Sequence, residues 1–152
     1  MKKIIVLLFI FMTSISYADT VYRGVDQKRV LFKSLSQLKE QGFVSQKPQI
    51  SRSDYNDIYQ FKKPLTFLNQ SVMLVSEEYM SQYIGCCVSE GWGAVFKVSN
   101  DYGDLKKFAD DNYCSLEEIK NPSQEDYYGF PYRKLGKGKF VELSCRARDI
   151  QS

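Results

Sequence analysis

The chain has 152 residues, with 21 Lys and Arg against 18 Asp and Glu and no histidine. The length suits one domain, and a formal charge of +3 lacks the concentrated basic face that general nucleic-acid binding needs. Without an imidazole, Ser-His-Asp and Cys-His arrangements are excluded, so any catalysis falls to carboxylates, Arg, Lys, Tyr or Ser.

The N-terminus opens with Lys2 and Lys3 and continues into the apolar run IIVLLFIFM, which is too short for a comfortable membrane span. Ser16 and Ala18 occupy the two small positions of a signal-peptidase site. Residues 1–18 are expected to be a cleaved secretory signal, leaving 19–152 as a single secreted or periplasmic domain. Cleavage removes two lysines and no acid, so 19 basic residues face 18 acidic ones, a charge of +1. No later stretch is apolar enough to span a bilayer.

TVYRG and RVLF, within residues 20–32, read as short strands. SLSQLKEQGF reads as a short helix, with Ser34 and Gln37 fitting a capping box and Gly42 fitting a stop. Residues 45–56 are polar, contain Pro48 and read as a loop. DIYQF reads as a strand or a helical turn, and Pro64 breaks the chain soon after it. SVMLVS (Ser71–Ser76) reads as a buried strand. EEYMSQYIGCCVSE favours helix, because its β-branched content is low and Tyr79, Gln82 or Tyr83, and Cys86 or Cys87 have helical spacing. WGAVFKVSN alternates like a strand and ends in a turn at Asn100-Asp101. GDLKKFADDNYC is an amphipathic helix with Leu105, Phe108 and Ala109 on one face. NPSQEDYYGFP is a loop or the beginning of a strand, and KFVELSCRAR is the last strand. The order predicts a small α+β domain, a mixed or antiparallel sheet with two or three helices.

Cys86, Cys87, Cys114 and Cys145 form an even set in a chain read as exported, which predicts two disulfides. Of three connectivities, the one joining the neighbours Cys86 and Cys87 makes a strained ring. The expected pairings are therefore Cys86–Cys114 with Cys87–Cys145, or Cys86–Cys145 with Cys87–Cys114. With no Cys-x-x-Cys and no histidine, no metal site is expected.

The mature N-terminus resembles the start of the pertussis- and cholera-type mono-ADP-ribosyltransferase toxins. VYRGVDQKR supplies Tyr22-Arg23, then Asp26 and Arg29, and LKEQGF supplies a helix ending in Gly-aromatic. VMLVSEEYMSQY stands where that family has a strand ending in Ser-Thr-Ser, with Ser76 at the first serine. PSQEDYYGFP stands at the late catalytic loop and offers Glu125. The chain departs from the pattern in four ways: SEE replaces Ser-Thr-Ser after its first position, Ser123 stands where Glu or Gln is usual, extra residues lie between Gly24 and the helix, and the chain is short for the family.

The resemblance implies NAD as substrate and a protein as target. Breaking the bond to nicotinamide needs a carboxylate that stabilises an oxocarbenium-like transition state. It needs no general acid, so a protein without histidine can do it. The resemblance gives that role to Glu125, oriented by Ser76. Arg23 beside Tyr22 would bind the dinucleotide phosphates through its planar fork, and Tyr79 would stack on nicotinamide. The competing reading is a non-catalytic exported binding protein, an inhibitor or immunity protein of an envelope-acting enzyme. Its contact loop would be SEGWG, with Trp92, or EDYYGFPY, because buried aromatics dominate interface energetics.

Overall fold

A computed structural model of the chain describes residues 30–53, 55–78 and 91–146. The first described element is helix α1 (Val30–Glu40). It begins four residues before the expected cap, so Val30–Phe32 form its first turn and are not a strand. The β preference of three residues is a weak prior, and Leu31, Leu35 and Leu38 fall at helical spacing. Leu35 and Leu38 are buried. The expected stop is present: the Phe43 amide donates to the Leu38 carbonyl (2.8 Å), the Gly42 amide to the Lys39 carbonyl (3.1 Å), and Gly42 holds φ +70°. This Schellman arrangement needs a left-handed residue, which glycine supplies without steric cost.

The strands are β1 (Ile50–Ser53), β2 (Asn56–Gln60), β3 (Thr66–Phe67), β4 (Gln70–Glu78), β5 (Gly91–Val98), β6 (Ser115–Glu118), β7 (Asp126–Tyr127), β8 (Phe130–Pro131) and β9 (Lys139–Arg146). Seven of them form one antiparallel sheet in the order β1-β2-β4-β5-β9-β6, with β3 also on β4. β7 and β8 form a separate hairpin, closed by Tyr128 and Gly129, both at positive φ. Helix α2 (Gly103–Asp111) follows β5, and a 3-10 turn (Tyr132–Leu135) follows β8. The architecture is the expected small α+β domain, and the sheet is antiparallel.

Two local expectations are corrected. The polar stretch 45–56 contains β1, whose Ile50 pairs with Ile58 at the sheet edge. Glu77 and Glu78 extend β4, where helix was favoured, because β2 offers Asp57 and Asn56 as their partners. Residues 79–90 lie outside the described residues, as do the strand expected over TVYRG and the signal segment.

Side chains on a strand alternate between faces, and both faces of this sheet are covered. One face carries Tyr59, Val75, Ala94, Phe96, Val141 and Leu143 and packs with Leu35 and Leu38 of α1 and Leu105 and Ala109 of α2. The other carries Ile58, Leu74, Val95 and Phe140 beneath Tyr127, Phe130, Tyr132 and Leu135. The aromatics of EDYYGFPY, expected in a contact loop, are thus mostly core. Trp92 is buried too, in the α-helical layer.

Cys114, just after α2, is bonded to Cys145 on β9, across 31 positions of sequence. Both favoured pairings are thereby corrected, since each joined Cys114 to Cys86 or Cys87. The correction has a geometric reason. β6 pairs with the end of β9, Ser115 opposite Ser144, and this brings Cys114 beside Cys145. Cys86 and Cys87 lie outside the described residues.

Candidate functional site

Ser76 lies on the hairpin-covered face, in a row of small residues crossing three strands. It pairs with Gly93 of β5, which pairs with Ser144 of β9. Two residues beyond Ser144, Arg146 ends β9. Small side chains in this row leave room for large polar groups from above and beside. Arg146 fills much of it and has no exposed surface. Its Nη1 donates to Ser144 Oγ (2.5 Å), and its Nη2 donates to Asn56 Oδ1 and Ser76 Oγ (3.0 Å each). Ser76 Oγ also shares a 2.6 Å hydrogen bond with Tyr127 Oη. The Tyr128 ring lies 5.4 Å from the guanidinium carbon, a cation–π distance.

Gly93 makes the cluster possible. A Cβ there would lie 2.9 Å from Ser76 Oγ and 3.1 Å from Arg146 Nη2, and closer still to Tyr127 Oη. Burial pushes the Tyr127 phenol far above its ordinary range, although the charge of Arg146 and the bond to Ser76 pull the other way. Tyr127 therefore stays protonated and serves as a hydrogen-bonding lid. A buried charge is tolerated when it is paired with polar partners, and this one finds side-chain acceptors in Ser144, Asn56 and Ser76.

Ser76 is thus a fully buried member of a polar network. Glu125 is exposed, in the turn leading into β7. Its Oε1 accepts from the Asn121 amide (2.7 Å), while its own amide donates to the Asn121 carbonyl (3.0 Å). The carboxylate closes a turn. Among the described residues no hydrogen bond joins Glu125 to Ser76; the residue from this loop that reaches Ser76 is Tyr127. Arg23, Tyr22 and Tyr79 lie outside the described residues. The sequence pattern singles out Ser76 but passes over Arg146, Asn56 and Tyr127. Arg146 has no signal of its own in the sequence, since it is one of three charged residues in KFVELSCR.

A second titratable group sits on the helical face. Asp57 of β2 and Glu77 of β4 are directly opposed. Burial, more than the neighbouring Asp57, raises the Glu77 pKa, and the attraction of Lys39 opposes it. Lys39 donates to Tyr59 Oη (3.1 Å), with its ammonium 4.4 Å from the ring centre.

An open concavity among the described residues lies elsewhere, between α2 and β6. It is a cleft of about 360 Å³. Ala109, Leu116 and Val141 form its apolar part, Cys114 lies at one end, and Lys106, Asp110, Glu118 and Tyr102 surround it. Tyr102 has two ammonium groups over its ring, Lys106 at 4.9 Å and Lys139 at 5.1 Å, and Lys139 pairs with Glu118 at 2.9 Å. No cluster of three or more metal-ligating side chains occurs among the described residues, and no described helix is long and apolar enough to cross a membrane. Comparison with family models, curated proteins and solved structures finds no match.

Proposed function

We propose that the protein is a disulfide-stabilised binding module that works by contacting another protein, in an oxidising compartment outside the cytoplasm. An exported inhibitor or immunity protein would have this character. The observation carrying the reading is the state of Ser76. As the orienting hydroxyl of a transferase it would have to bond to Glu125, yet it has no exposed surface and is bonded to Tyr127 and Arg146. The surface carboxylate of Glu125, used to close a turn, argues in the same direction. The Cys114–Cys145 bond supports the compartment, because such bonds persist where thiols are not kept reduced.

The test is nicotinamide release from NAD by the oxidised protein (residues 19–152), beside a Glu125→Gln variant, with NAD binding followed by calorimetry. The expected result is no release and no binding. Release that disappears in Glu125→Gln would replace this reading with the transferase one.

A further inference from the structure

We propose that the edge strand β6 and the cleft beside α2 accept an extended segment of a partner protein, which adds to the sheet as a further strand. The proposal rests on the binding reading above and names its contact. Among the described residues, β6 is the last strand of the sheet. Its register with β9 pairs Glu118 with Val141 and Ser115 with Ser144, and the ladder continues at Ile119, whose amide donates to the Phe140 carbonyl (3.0 Å). Hydrogen-bonded pairs alternate along an antiparallel ladder. Ile119, Glu117 and Ser115 therefore bond inward to β9, and the backbone groups of Leu116 and Glu118 point away from it, to an edge that no other described strand pairs with.

The same two residues turn their side chains into the cleft. An added strand would thus place alternate side chains beside Leu116 and Glu118 at the mouth of the cleft, between a helix and a strand edge, as strand-addition grooves require. The charges favour a partner over a second copy. Glu117 and Glu118 are both exposed, and self-pairing of β6 sets carboxylates against carboxylates, which disfavours it. A segment alternating apolar residues for the cleft with Lys or Arg opposite Glu117 fits both features.

Tyr113 is an independent sign at the head of this strand. α2 ends like α1: the Cys114 amide donates to the Ala109 carbonyl (2.9 Å) and the Tyr113 amide to the Asp110 carbonyl (3.3 Å). α1 places Gly42 at the left-handed position, whereas α2 places Tyr113 there, at φ +54° and 70% exposed. A bulky residue in this conformation costs stability, and a ring this exposed recovers little of it by packing. An exposed tyrosine beside an apolar cleft has the character of an interface anchor.

The probe is a peptide of about seven residues, the usual strand length, alternating lysine with leucine and valine. It is titrated into the isotopically labelled oxidised protein and followed by amide shifts and amide exchange. Shifts centred on residues 113–119 and on α2 are expected, with slowed exchange at Leu116 and Glu118. Glu118→Pro removes an outward amide without touching the backbone ladder to β9 and should weaken binding about tenfold while the melt stays cooperative, whereas Glu118→Ala, which loses the same ion pair to Lys139 and keeps the amide, should bind nearly as the wild type does. Glu117→Lys should also weaken it, and a peptide with glutamate in place of lysine should restore it. Tyr113→Gly should weaken binding while raising stability, which a merely structural tyrosine would not do.

Four results would each overturn the proposal: no shift at β6, equal binding of a peptide with a central proline, protection of Leu116 and Glu118 in the free protein, or dimerisation that Glu118→Pro abolishes. The first two, without NAD turnover, would leave the binding reading standing with its contact elsewhere. NAD turnover would remove that reading itself.

Discussion

Gly93→Ala is the sharpest perturbation of the buried cluster. The new methyl would meet Ser76 Oγ at 2.9 Å, Arg146 Nη2 at 3.1 Å and Tyr127 Oη closer still. None of these groups has open space to retreat into, since all three belong to residues with almost no exposed surface. Overpacking a filled site costs about 1–3 kcal/mol, and displacing the Ser76–Tyr127 hydrogen bond adds about 1 kcal/mol. A loss of about 3 kcal/mol lowers a urea midpoint by about 2 M when the slope is about 1.5 kcal/mol per molar. The assay is equilibrium urea unfolding of the oxidised protein, read by tyrosine and tryptophan fluorescence. Tyr127→Phe provides the internal check. Alone it should cost about 1 kcal/mol. In its background Gly93→Ala should cost at least about 1 kcal/mol less than in the wild type, because the tightest contact has gone. A Gly93→Ala midpoint within experimental error of the wild type would refute the packing argument, and so would strictly additive costs.

Further predictions concern charge, covalent closure and the helix end. Asn56→Ala withdraws an acceptor from buried Arg146 and should destabilise by about 2 kcal/mol in the same urea assay. Folding raises the Glu77 pKa above 4.5, so the folded state holds that proton more tightly than the unfolded one. Its contribution to stability is therefore lost as pH climbs from about 4.5 through the raised value. Glu77→Gln should raise the urea midpoint more at pH 7 than at pH 4, and a larger gain at the lower pH would reverse the sign of the argument. Replacing Cys114 and Cys145 together by alanine opens a loop spanning 31 positions, worth about 3–4 kcal/mol on the chain-entropy account. A non-reducing peptide map should join the Cys114 and Cys145 peptides, and Cys114 joined to Cys86 or Cys87 would contradict the strand register. Tyr113→Gly relieves a left-handed tyrosine and should stabilise by about 0.5–1 kcal/mol, after the extra freedom glycine has when unfolded.

The parts of the fold legible in the sequence are those whose pattern matches their burial. α2 is legible because GDLKKFADD carries one clear period, and Leu105 and Ala109 do face the core; β5 is legible as a short apolar run, since Trp92 to Phe96 are buried on both faces. The stop at Gly42 is legible because glycine alone takes φ +70° without cost. β1 is not legible: it is a polar edge strand held mainly by its register with β2. The start of α1 is hidden because Val30 and Phe32 look β-like in isolation. The disulfide pairing is hidden because spacing carries no information about which strands become neighbours, and the pairing of β6 with β9 decides it. Ser76 stands out in the sequence for a resemblance to a catalytic serine. Its actual surroundings depend on Arg146, 70 positions away, on Asn56, and on a tyrosine from the same loop as Glu125. No local pattern encodes that convergence.

The most direct test of the account is native-state amide exchange of β4, β5 and β9 around Ser76, Gly93 and Ser144, with and without NAD. If the cluster is a sealed part of the architecture, these amides exchange only through global unfolding. Their opening free energies then equal the urea stability, and NAD leaves them unchanged. Exchange through a cheaper local opening at these positions, slowed by NAD, would contradict the account and mark the cluster as a ligand site.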